Sequence, residues 1–139
     1  MTSTRVSFIA ASAAAALWAL KGLAIGSAGG LGESPFEGPF FLTGLASFVI
    51  ASVALGVAVL PRRAVPVRAL AGLGVVVAGF AVAAGIDTLV SSIVPPDADR
   101  HWAYTEVNLW VVAAALLAIT LRLHRAGSDR VPAAAVPVA

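Results

Sequence analysis

Long apolar stretches alternate with short segments rich in Gly, Pro and charged residues along the whole chain. The apolar stretches cover residues 6–26, 40–60, 67–94 and 102–123. Each is long enough to span a membrane, because a bilayer core of ~30 Å needs roughly 20 helical residues. Period-2 alternation is absent, and an open sheet would leave backbone groups unpaired in lipid. The pattern therefore predicts an all-α integral membrane protein, an up-and-down four-helix bundle.

Composition supports this prediction and narrows the possible functions. The chain has 139 residues, of which 60% are hydrophobic and 12% charged, whereas soluble domains carry about 25% charged residues. Residues 1–125 are needed for one transmembrane domain, so no folded soluble module is expected. The absence of cysteine excludes disulfides, thiolate metal sites and iron–sulfur clusters. One Lys beside eight Arg, with abundant Ala, Val and Gly, is typical of bacterial proteins encoded by GC-rich genes.

The arginines predict the orientation of the bundle. Seven of them fall at one end if the chain passes up and down: Arg5, Arg62, Arg63, Arg68, Arg122, Arg125 and Arg130. The other end carries Arg100 and most of the acidic residues. By the positive-inside rule, the arginine-rich end is cytoplasmic, so both termini are predicted in the cytoplasm of a multi-pass plasma-membrane protein. The basic residues flank apolar stretches and form no run with interleaved aromatics, so no nucleic-acid partner is expected.

Two segments outside the spans have separate predictions. Residues 27–39 are rich in Gly and Pro, and they form either an ordinary connector or a loop that gates a ligand site. Residues 126–139 are rich in Ala, Pro and Val without a periodic pattern, which predicts a disordered cytoplasmic tail.

Three ionisable residues lie inside the predicted spans, where charge is costly and usually faces the bundle interior. Lys21 and Glu106 each lie roughly 24 Å above the arginine at the other end of their span, at 1.5 Å per residue. Because the first and fourth helices of such a bundle are neighbours, an ion pair between them is expected. Asp87 lies roughly 28 Å above Arg68, a little higher than the other two, which places it at the outer edge of the core unless the long third helix tilts.

Polar and aromatic residues at this height predict a pocket that opens to the outside. The candidate ligand-binding residues are Lys21, Trp18, Tyr104, Asn108 and Trp110. One cation would face the two acids Asp87 and Glu106, so one carboxyl is protonated or another cation supplies the missing charge: Arg100, a metal ion or a ligand ammonium. In the structural alternative, Lys21 reaches the headgroups and the aromatic residues anchor the helices at the membrane interface.

Other chemistry is not favoured by the sequence. His101 and His124 lie at opposite ends of one span, so neither a histidine metal site nor a haem is expected, and no cofactor is predicted. Small residues recur at four-residue spacing, as in Gly22-x-x-x-Gly26 and Ser52-x-x-x-Gly56, which lets helices approach closely within the bundle or in a homo-oligomer.

Three function classes follow from these features. The favoured hypothesis is a ligand-binding or accessory subunit that has an outward-facing polar pocket. Its partners would be the lipid bilayer, a hydrophobic or cationic small ligand, and a larger membrane complex or a second copy. A proton-coupled or small-cation transporter is the first alternative. The second is an intramembrane enzyme acting on a lipid-like or isoprenoid substrate, and in either alternative Asp87 and Glu106 would be the working carboxyls. Whether the chain is an enzyme stays open at this stage.

Overall fold

Four long helices make up the protein. The structure, a computed structural model, describes residues 2–95 and 101–128. Its helices are α1 (Ser3–Ala28), α2 (Glu37–Val59), α3 (Val65–Ile93) and α4 (His101–Ser128), and the described residues contain no strand. All four helices are long and apolar enough to cross a membrane. The predicted all-α, four-helix membrane architecture is therefore confirmed.

The helix ends follow from local sequence. α1 ends at Ala28 and is capped by Gly29, whose φ of 94° is the left-handed conformation that glycine adopts without strain. α2 begins at Glu37, ahead of the apolar stretch, with an acidic residue favourably placed in the first turn. Pro39 lies in that first turn and not, as predicted, in the preceding loop. Proline is tolerated there because the N–H groups of the first turn have no partner within the helix. α4 continues to Ser128, and residues 129–139, the remainder of the predicted tail, lie outside the described residues.

Each helix packs against its neighbours in sequence, and α4 returns to pack against α1. α1 and α3 occupy opposite corners of the bundle and do not contact each other. The core is formed by side chains from all four helices, including Trp18, Phe48, Val76 and Leu116, together with several buried alanines. α3 is the most peripheral helix, because only Gly72 and Val76 of its residues are buried.

Glycine allows α2 and α3 to approach very closely. A Cβ atom added to Gly72 would lie 2.6 Å from the Cα of Val53, and Gly56 faces the backbone of Gly72 in the same way. Ser52 and Gly56 are both buried, so the small-residue spacing of the second span is used for packing inside the bundle.

Candidate functional site

An ion pair links the first and last helices near the arginine-poor end of the bundle. Lys21 of α1 donates a hydrogen bond from Nζ to Oε1 of Glu106 in α4. Both residues are buried, at 6% and 4% exposure. The pairing that helix geometry predicted is therefore present, and Lys21 turns into the bundle instead of extending towards the headgroups.

A second carboxylate approaches the same ammonium. Oε1 of Glu37 lies 3.9 Å from Nζ of Lys21, and Oε2 of Glu37 accepts a hydrogen bond of 2.8 Å from the backbone N–H of Gly32. Glu37 lies in the segment predicted as a connecting loop and was not among the predicted site residues. It shares one face of α2 with Phe41, four residues later, but this relation follows only from a helix that begins at Glu37.

Phe41 contacts the cluster directly, and Trp18 and Trp110, two residues of the predicted site, form hydrogen bonds next to it. The ammonium of Lys21 lies 5.6 Å from the centre of the Phe41 ring, a distance typical of a cation–π contact. Trp18 donates from Nε1 to the carbonyl of Phe41 at 3.4 Å. Trp110 in turn donates from Nε1 to the carbonyl of Trp18 at 3.3 Å. These bonds fix the height of α4 against α1 and of α1 against α2 at the level of the ion pair.

Tryptophan rings also occupy the glycine positions of α1. A Cβ atom added to Gly22 would lie 2.6 Å from the ring of Trp110, and one added to Gly26 would lie 3.0 Å from the ring of Trp102. The Gly22-x-x-x-Gly26 spacing is therefore used for contacts with the tryptophans of α4 inside the bundle, with Gly22 buried and Gly26 exposed.

No described hydrogen bond or ion pair joins the other predicted site residues, Asp87, Tyr104 and Asn108, to the Lys21–Glu106 pair. Asp87 is exposed on α3, and no hydrogen bond or ion pair is described for it. Tyr104 is 44% exposed. The side chain of Asn108 accepts a hydrogen bond from the neighbouring N–H of Leu109. The cluster thus contains one ammonium and two carboxylates, as predicted, but the second carboxylate is Glu37 and not Asp87.

An open cavity lies beside the cluster. It has a volume of about 440 Å³, and its walls are formed by Lys21, Glu37, Phe41 and the small residues Gly32, Ser34 and Gly38. Trp18, Tyr104, Asn108 and Trp110 do not line it. Because Gly32 adopts a φ of 81°, the loop after α1 can fold back over the start of α2 and close one side of the pocket.

The charges of the cluster do not cancel. Lys21 supplies one positive charge, while Glu37 and Glu106 supply two negative charges when ionised. Oε2 of Glu106 is fully buried and accepts no hydrogen bond within the described residues, which is an unfavourable environment for a carboxylate oxygen. The described part of the chain contains no group of three or more His, Asp or Glu residues arranged to hold a metal ion. The imbalance leaves the two alternatives given by the sequence: one carboxyl is protonated, or an additional positive charge such as an ammonium group binds there.

The fold and the site together define a four-helix membrane protein in which one lysine and two glutamates form a cluster beside an open cavity. Comparison with protein-family models, with curated proteins and with solved structures returns no significant match. Function must therefore be inferred from the side chains of the site.

Proposed function

We propose that this protein is a ligand-binding membrane protein whose pocket takes a small organic cation on the outer side of the bacterial plasma membrane. The observation that carries the proposal is the three-residue cluster, in which one ammonium faces two carboxylates. A cationic ligand would restore the charge balance of the cluster at the surface of the pocket. The outer location follows from the positive-inside rule, because the pocket lies at the end opposite the arginines.

Glu37 is the carboxylate that would meet the ligand. Lys21 is bonded closely to Glu106, which does not line the pocket, whereas Glu37 does line it and lies farther from the ammonium. Glu37 is also the more exposed carboxylate, with 20% of its side chain accessible against 5% for Glu106. A ligand ammonium could therefore bind Glu37 without disrupting the buried pair. The volume of about 440 Å³ lies within the range of pockets for small molecules.

The two alternative functions have less support. Between the cluster and the arginine-rich end, the described helices contain no Asp, Glu or Lys, so a titratable relay across the membrane is not apparent. The enzyme hypothesis used Asp87 or Glu106 as a general acid, but Asp87 is exposed on α3, while Glu106 is bonded to Lys21 and does not line the pocket. Neither carboxyl is thus both buried and next to a space for a substrate.

Replacing Glu37 by glutamine is expected to weaken cation binding by about tenfold or more, because a hydrogen bond to a charged group is lost. Binding of methylammonium and tetramethylammonium to the detergent-purified protein would be measured by calorimetry, with acetate as the anionic comparison. Glu33→Gln is the matched control, because Glu33 is an exposed acid of the same segment and does not line the pocket.

The proposal requires that Glu33→Gln binds the cations as the unaltered protein does and that acetate does not bind. Equal affinity of Glu37→Gln and Glu33→Gln for both cations would rule out Glu37 as the ligand-binding carboxylate. Tight binding of acetate would reverse the proposed charge of the ligand.

A further inference from the structure

The opposite end of the bundle carries an uncompensated positive charge. Six arginines of the described residues lie there: Arg5, Arg62, Arg63, Arg68, Arg122 and Arg125. No described acidic residue lies at this end, and no described ion pair or side-chain hydrogen bond involves any of the six guanidinium groups. The charge at this end must therefore be neutralised by something other than the described part of the chain.

Arg68 differs from the other five arginines. They are exposed, whereas Arg68 is half-buried, and its Nε is fully buried without an acceptor. Arg68 lies in the first turn of α3, one turn before Gly72, so it is close to the place where α3 and α2 make backbone contact. Burial of Nε restricts the position of the guanidinium, and because Arg68 stays partly accessible, phosphate oxygens can bind its other N–H groups.

An apolar groove runs along the outside of α2 at the same end. It has a volume of about 440 Å³ and is lined by Ser3 and Val6 of α1 and by residues of α2 that include Ile50, Val53 and Val57. Val53 lines this groove and also meets Gly72 of α3. One residue of the groove wall is therefore also part of the α2–α3 contact, one turn along α3 from Arg68.

We propose that this end of the α2–α3 hairpin is a binding site for an anionic phospholipid. Arg68 binds the headgroup phosphate, Arg62 and Arg63 of the adjoining turn add positive charge, and one acyl chain lies in the groove along α2. The cytoplasmic leaflet, which the arginine-rich end faces by the positive-inside rule, is the leaflet that contains anionic lipid. This site is separate from the cation pocket and does not depend on it.

The test is lipid retention in native mass spectrometry after release from nanodiscs that contain equal amounts of phosphatidylglycerol and phosphatidylcholine. The unaltered protein is expected to retain one phosphatidylglycerol and no phosphatidylcholine. Arg68→Gln should lower the retained phosphatidylglycerol by about tenfold, because a charge-assisted bond to phosphate is lost. Arg125→Gln is the matched control, since it removes an exposed arginine at the same end and should change retention by less than about twofold.

A second variant tests the acyl-chain part of the site. Ile50→Trp fills the groove without changing any charge, and it should also lower retention. Equal losses in Arg68→Gln and Arg125→Gln would indicate diffuse attraction to the arginine-rich surface and would overturn the proposed site. Unchanged retention in Ile50→Trp would remove the groove from it. Displacement of the lipid by excess inorganic phosphate would show that the site recognises free phosphate and not a phospholipid.

Discussion

Replacing Lys21 by methionine is expected to destabilise the protein by about 3–5 kcal/mol, because it leaves a buried carboxylate without its cation. Glu106 is only 4% exposed and its second oxygen already has no donor. Glu37 would then add a repulsive charge beside it. Glu106→Gln should cost less, because Lys21 could still pair with Glu37, now 3.9 Å away. The order of these two effects follows from the charge imbalance of the cluster.

The measurement is the free energy of unfolding in mixed detergent micelles for three variants. Lys21→Met alone should be the least stable, Glu106→Gln intermediate, and Lys21→Met combined with Glu106→Leu should recover most of the loss, since an apolar pair needs no charge compensation. If Lys21→Met and the double variant were equally unstable, the loss of stability would come from the packing of the Lys21 side chain and not from its charge.

Variants of the three cluster residues separate the effect on stability from the effect on ligand binding. Glu37 contributes a more exposed carboxylate at a longer distance from Lys21, so Glu37→Gln should weaken cation binding with little effect on unfolding. Lys21 and Glu106 hold α1 against α4, so their variants should alter unfolding first. A cluster in which one carboxylate is held tightly and the other loosely can thus stabilise the bundle and also offer a charge to a ligand.

The sequence predicted the lengths of the helices and the heights of residues along them most successfully. Span lengths follow from the apolar stretches, and the arginines at the helix ends allowed the heights of Lys21 and Glu106 to be compared. Since the first and fourth helices of an up-and-down bundle are neighbours, two residues at one height on α1 and α4 could be expected to meet. Their ion pair was found in this way.

Rotation about the helix axis could not be obtained in the same way. Asp87 was predicted close to the height of the ion pair, but it is exposed on α3, which does not contact α1. The hydrophobic residues of α3 surround the whole helix, so they do not indicate which side faces inward. Glu37 was missed for a different reason, because α2 begins before its apolar stretch and the loop folds back so that Gly32 bonds to its carboxylate.

The backbone contact between α2 and α3 gives the second prediction with a large expected effect. Gly72→Leu is expected to cost about 3 kcal/mol or more in free energy of unfolding, because overpacking at a backbone contact cannot be relieved by a rotamer change. The new Cβ would lie 2.6 Å from the Cα of Val53, so α2 and α3 would have to separate. Gly74→Leu is the matched control, since nothing lies within 4 Å of a Cβ at that position.

Gly74→Leu should be neutral or slightly stabilising, because glycine is unfavourable within a helix. The separation of α2 from α3 should also move Arg68, one turn away, so Gly72→Leu is expected to reduce phosphatidylglycerol retention while Gly74→Leu leaves it unchanged. Both variants would be compared by unfolding in mixed micelles and by native mass spectrometry. Equal stability of the two would contradict the close α2–α3 contact, because only Gly72 faces the α2 backbone.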